Sequence, residues 1–177
     1  MRLSNTEHLT LDNIRVLDHR ISATEGAFPP VLISNCQGVF VRDVVVKNSD
    51  YTGPALALVD SGDAVVDGFT LQGETNALTS GVAFIISTNA VNPNLSGLRI
   101  SHVSARNLKD GGIILESQNL KGTLSDYLIS ENLAEVIDRI HERNGIVAGN
   151  VSLTSPADNK NKIITEKKLT DAVRTKP

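Results

Sequence analysis

The sequence of 177 residues contains no Trp, two Tyr and four Phe. Rings cannot fill an interior of any size, so Val, Ile, Leu and Ala must do it. One cysteine, Cys36, excludes an internal disulfide, and with four His it leaves little for a structural zinc site. Lys plus Arg is 17 and Asp plus Glu is 20, a net charge of −3. The basic face that a nucleic-acid binder needs is missing, so no nucleic-acid partner is expected. No apolar run reaches the roughly 18 residues of a spanning helix, so no membrane partner is expected either. Residues 1–13, MRLSNTEHLTLDN, lack the apolar h-region of a signal peptide, which makes the cytoplasm the default expectation. What is present, 40% hydrophobic and 21% charged residues, fits one folded domain and excludes wholesale disorder.

One pattern recurs: apolar, any, apolar, two polar or small residues, apolar, any, apolar. It reads Leu9, Leu11, Ile14, Val16, then Val39, Val41, Val44, Val46, then Ala64, Val66, Phe69, Leu71, then Leu98, Ile100, Val103, Ala105. A fifth copy is read in GTLSDYLI, with Leu124, Tyr127 and Ile129. Anchored on the second apolar place, the steps are 30 (Leu11 to Val41), 25 (to Val66), 34 (to Ile100) and 24 (to Leu124). A period in this range with variable insertions marks a solenoid. Between the copies lie short Val/Ile-rich runs: PVLIS, PALALVDS, GVAFIIST, GIILES and GIVAGN. They are too short for helices and read as strands.

The two-residue breaks, such as Arg42-Asp43 and Ser101-His102, cannot be hairpins, because the apolar side stays inward through all four places. They are bends that carry the chain around a corner. Successive coils then stack in parallel, about 4.8 Å apart. The lone Asn-Gly, Asn144-Gly145, follows a helix-like stretch instead of closing a hairpin, which speaks against a β-sandwich.

On the segments GVFVRDVVVKN and SGLRISHVSARN, matched by LTLDNIRVLD and GTLSDYLISEN, the chain resembles the parallel β-helices of the pectate-lyase-like superfamily over roughly residues 8 to 154. The resemblance implies an all-β, right-handed, single-stranded parallel β-helix of about five to six coils. It implies little about activity, since this scaffold carries many. Members usually place an amphipathic helix before the first coil; here only MRLSNTEH precedes Leu9. The chain is then a piece of something longer, or that end is covered by another subunit.

Residues 131–143, ENLAEVIDRIHER, break the repeat. Leu133, Val136, Ile137 and Ile140 follow helical spacing, Ser130 suits an N-cap, and Asn144-Gly145 suits a stop, so an inserted helix is expected there. Residues 1–154 form the β-helix domain; 155–177 are a polar linker and a C-terminal tail or clasp. A short helix is expected within that tail, with Ile164, Leu169, Ala172 and Val173 on a partial apolar stripe.

The lyases and hydrolases of this superfamily carry acidic calcium ligands with a basic proton abstractor, or clustered aspartates with a His-Gly element. The chain has no Asn-Thr-Asp, paired Asp-Asp, Gly-His-Gly, Trp-Ile-Asp-His or Arg-x-Pro-x-x-Arg. What remains is at the bends. Asp43, Asp67 and His102 are the candidate catalytic residues, an acidic patch with an imidazole next along. Against this stands a solvated face in which Arg42 screens the carboxylates. Asp60 and Asp63 in Asp-Ser-Gly-Asp are candidate calcium ligands, but a turn needs the same residues. No other cofactor is indicated. His8, His19 and His141 have no companions at metal-ligand spacing, and Cys36 reads as a small inward or turn residue. The expected function is a non-catalytic module, a binding or assembly scaffold for a glycan or protein surface. A divergent polysaccharide lyase or glycoside hydrolase is the alternative. Exposed solenoid ends predict a homo-oligomer, a dimer or trimer.

Overall fold

The computed structural model describes residues 1–20, 28–72, 78–105, 108, 110–140, 142–148 and 150. All strands among them pair in parallel, in two sheets, and no helix occurs among them. The first sheet holds β1 (Arg2–Ser4), β4 (Val31–Ser34), β6 (Pro54–Val59), β8 (Ser80–Ile86), β11 (Ile113–Ser117) and β13 (Val136–Arg139), in that spatial order. The second holds β2 (Thr10–Asp12), β3 (Arg15–His19), β5 (Gln37–Ser49), β7 (Gly62–Gln72), β9 (Asn94–Ser96), β10 (Arg99–Ser104), β12 (Thr123–Ser130) and β14 (Glu142–Ala148). The chain alternates between the sheets, and each strand pairs with its counterpart one coil away. This is a parallel β-solenoid. Four coils are full (β4–β5, β6–β7, β8–β10 and β11–β12), flanked by shorter ones, so the full turns number about four where five to six were expected.

The corners explain why the chain coils. At the bend within the second sheet, Asn13, Asp43, Gly68, His102 and Glu131 all have φ between 51° and 83°. They stack one above another, because the residues on either side are paired in register. At the corner before it, His8, Gly38, Asp63, Gly97 and Asp126 do the same, with φ between 45° and 76°. Asn5, Asn35 and Asp60 form a third such row, and Asp18 and Asn48 a fourth. One left-handed residue between two extended ones turns the strand sharply without reversing it. Asn, Asp, His and Gly tolerate that conformation best, which is why the breaks in the repeat are made of them.

Inside, side chains form continuous files. Leu11, Val41, Val66, Ile100 and Ile129 lie in one file, each paired with the next, at 8%, 0%, 0%, 1% and 0% exposure. Four of these were expected; the fifth was expected to be Leu124. Leu124 pairs instead with Leu95 of β9. The fifth copy is therefore YLISENLA, residues 127–134, with inward places at Tyr127, Ile129, Asn132 and Ala134. The third of these is polar, so an apolar count slid to the wrong segment. The expected helix at 131–143 is absent for the same reason. Its first half is the bend and second arm of this copy, with Leu133 outward and 41% exposed, and Val136–Arg139 is β13. The GIVA of GIVAGN likewise belongs to β14 in the second sheet, whereas the other four short runs supply strands of the first. The tail helix and the boundary at 154 lie outside the described residues.

Asn132 is 1% exposed and fully used. Its Oδ1 accepts the Val103 amide (2.8 Å), and its Nδ2 donates to the Ile100 carbonyl (3.2 Å) and to Asn150 Oδ1 (2.8 Å). Asn150 repeats the motif one coil on, its Nδ2 donating to the Ile129 carbonyl (3.0 Å). An asparagine ladder thus closes main-chain groups that the left-handed bend leaves without ladder partners. Asn132→Ala should destabilise the fold by about 2–4 kcal/mol, since two buried main-chain groups lose their partners. Denaturant unfolding checks this; a loss below about 1 kcal/mol would contradict the ladder's role.

Candidate functional site

The bend in the second sheet is where the candidate residues fall. Its first position carries Asp12, Arg42, Asp67 and Ser101 in successive coils; its second is the left-handed row. Inter-strand spacing sets these side chains about 4.8 Å apart, within reach of their neighbours. Arg42 clamps Asp12 with Nε on Oδ1 (3.0 Å) and Nη2 on Oδ2. Asp67 Oδ1 lies 2.6 Å from His102 Nδ1 and accepts from Ser101 Oγ at 3.0 Å. On the other side of the ring, His102 Nε2 is 3.3 Å from Glu131 Oε2. Read along the axis, the charges alternate: Asp12, Arg42, Asp67, His102, Glu131.

The electrostatics follow from these contacts. The hydrogen bond it donates to Asp67 raises the His102 pKa above its ordinary 6.5, opposed by desolvation and helped by the charges of Asp67 and Glu131. The bond from His102 holds Asp67 below its ordinary 3.8, with Ser101 adding to it. Both side chains are well exposed, at 60% and 41%, so water screens the pair and its effect on stability is small.

Of the three candidate catalytic residues, the structure joins Asp67 and His102 and leaves Asp43 apart. Asp43 is a left-handed corner whose carbonyl accepts from Arg15 Nη1 at 3.0 Å. Asp60 and Asp63 sit at two different corners. The Asp60 carboxylate takes the Ser87 amide (2.7 Å) and hydroxyl (2.5 Å) of the next coil. Among the described residues no group of three or more His, Cys, Asp and Glu converges as a metal would require. Cys36 is buried, its amide on Ser61 Oγ (3.1 Å) and its thiol on the Ser34 carbonyl (3.3 Å).

Two contacts escaped the sequence. Glu131 joins the charge row, and it was hidden by the shifted fifth copy. His19, which has no sequence neighbour of note, lies 3.2 Å from Ser49 Oγ with Tyr51 edge-on to its ring. The 30-residue step from Leu11 to Val41, continued along the arm, was the signal that could have paired them. Burial lowers the His19 pKa.

No family model matches the chain, and no match is found among curated proteins or solved structures.

The pH dependence has a defined sense. The contribution of His102 is present below pH 6.5 and fades as pH rises through its raised folded value; that of Asp67 is present above pH 3.8 and is lost as pH falls through its lowered one. A proton NMR titration should find His102 above 6.5 and falling towards it in Asp67→Asn, with a smaller fall in Glu131→Gln. A parent value at or below 6.5 would refute the pairing.

Proposed function

We propose that the chain is a non-catalytic β-solenoid module, a stiff surface for binding or assembly with a protein or glycan. The observation that supports this most is how the polar residues are used. Asp43, His102, Asp60 and Asp63 sit where the backbone needs φ above zero, and the carboxylates of Asp60 and Asp67 bond neighbouring coils. An acid or base for catalysis must instead reach a proton on a substrate.

Self-association belongs to the same reading. Leu3, Leu9, Ile14 and Val16 of the first coil are only partly buried, and the outer edges of β1, β2 and β3 pair with nothing among the described strands. Apolar ends with free edges favour closure by another copy, as a dimer or trimer. The likeness to the pectate-lyase-like scaffold rests on the corner repeat alone.

The second reading, a divergent polysaccharide lyase or glycoside hydrolase, is favoured by one feature: an exposed imidazole between two carboxylates, Asp67 and Glu131. A panel of acidic polysaccharides, followed by reducing sugar and by unsaturated uronide absorbance, separates the two. The module reading predicts no turnover above background, and a light-scattering mass of two or three times 18.9 kDa. Turnover abolished by Asp67→Asn or His102→Gln would establish the enzyme instead.

A further inference from the structure

The first coil carries an interior that stays partly open. Leu9, Ile14 and Val16 hold the file places of Val39, Val44 and Val46 one coil on. The three valines are at most 1% exposed, whereas Leu9, Ile14 and Val16 are only partly buried. The main chain is open on the same side. The carbonyls of Leu9 and Ile14 accept the amides of Phe40 (2.7 Å) and Val45 (2.9 Å). Main-chain groups alternate sides along a strand, so Leu11 and Val16 also turn theirs to β5. Thr10, Asp12, Arg15 and Leu17 turn theirs to the outer edge, which pairs with none of the described strands.

We infer that this end docks on the same end of a second copy, about a two-fold axis through the bend between Asn13 and Ile14. The inference rests on the self-association proposed above and commits it to a dimer. An end meets its own counterpart only through a two-fold, while a ring of three joins two different patches. Three features fit this occupant. The first is direction. Rotation about the bisector of the bend lays β2 of one copy antiparallel along β3 of the other, a sense in which two open edges can bond. The second is register. Asp12 then faces Arg15 of the second copy, Leu11 faces its Val16, and Thr10 faces its Leu17. Residues with main-chain groups on the open edge thus meet one another, and apolar file meets apolar file. The third is charge. Residues 1–20 hold Arg2, Arg15 and Arg20 against Glu7, Asp12 and Asp18, 3 − 3 = 0, in a chain of net −3. At this end two copies meet without net repulsion. Asp12, clamped by Arg42 on one flank, receives Arg15 of the second copy on the other, so the alternation of sign along the charge row continues across the contact.

The test uses the full chain in two single variants, Thr10→Cys and Leu17→Cys, both at exposed residues. Facing residues of an antiparallel pair lie about 4.5–5.5 Å apart at Cα, within the span of a disulfide; residue 10 and its own counterpart lie well outside it. An equimolar mixture under mild oxidation, at micromolar concentration, should give a disulfide-linked dimer of one chain of each kind. Each variant alone should give none, and neither should the parent, whose Cys36 is buried. A companion variant, Arg15→Glu, should raise the dimer dissociation constant about tenfold by setting like charges opposite each other, with the far-ultraviolet strand signal kept. A parent that is a dimer by light scattering but yields no mixed disulfide, or yields as much in the single variants, overturns the two-fold end contact and leaves self-association standing. A trimer overturns it as well. A parent mass of 18.9 kDa removes both the contact and the self-association beneath it. An unchanged dissociation constant in Arg15→Glu overturns the register that sets Asp12 against Arg15.

Discussion

Each strand can pair in parallel with its counterpart one coil later only if the chain turns at fixed places, and here two turns are single residues with φ above zero in five coils, a third in three coils and a fourth in two. Everything else hangs on that constraint. A turn displaced by one residue would exchange inward and outward side chains along the whole next arm. The files at Leu11, Val41, Val66, Ile100 and Ile129 exist because the corners at Asn13, Asp43, Gly68, His102 and Glu131 stay in register. Among the described non-glycine residues with positive φ, all but Glu131 are Asn, Asp or His. Those types lower a cost of about 1–2 kcal/mol per left-handed residue.

The same constraint gives the surface its chemistry. Corners stack, so polar residues chosen for conformation become rows of charge at inter-strand spacing. Opposite signs at neighbouring places then bond across coils, Arg42 to Asp12 and protonated His102 to Asp67 and Glu131, and the neutral amide of Asn48 donates to Asp18 in the same way. Asp67, beside the corner, and His102, at it, meet at hydrogen-bond distance through this stacking. That is the physical ground for ranking a scaffold above an enzyme. Such a surface is periodic at the inter-strand spacing.

The repeat made most of this visible in the sequence. The inward file was legible through Ile100, because Val, Ile and Leu marked each place, and the stacking of Asp67 beside His102 followed from the aligned bends. Legibility ended where an inward place was polar. Asn132 occupies a file position and satisfies it by hydrogen bonds to Val103 and Ile100. Hydropathy cannot see that solution, so the fifth copy slipped to Leu124 and a helix was read through a bend. The contact of His19 with Ser49 was hidden differently: it lies on arms 30 residues apart and needs the register itself. The left-handed state of the corners could have been suspected from their Asn and Asp content, but not its recurrence on four edges.

The claim that left-handed corners govern the fold is tested most directly at Gly68, where φ is 83° and an added Cβ would lie 2.9 Å from the Asp43 carboxylate. Gly68→Asn and Gly68→Val both add that Cβ, so its crowding cancels between them. The largest remaining difference is the tolerance of a left-handed backbone, high for Asn and lowest for a β-branched residue. The measurement is the difference in unfolding free energy between the two variants. A corner under left-handed constraint predicts the valine variant to be less stable than the asparagine variant by about 1–3 kcal/mol. Equal stabilities, or a more stable valine variant, would contradict the account.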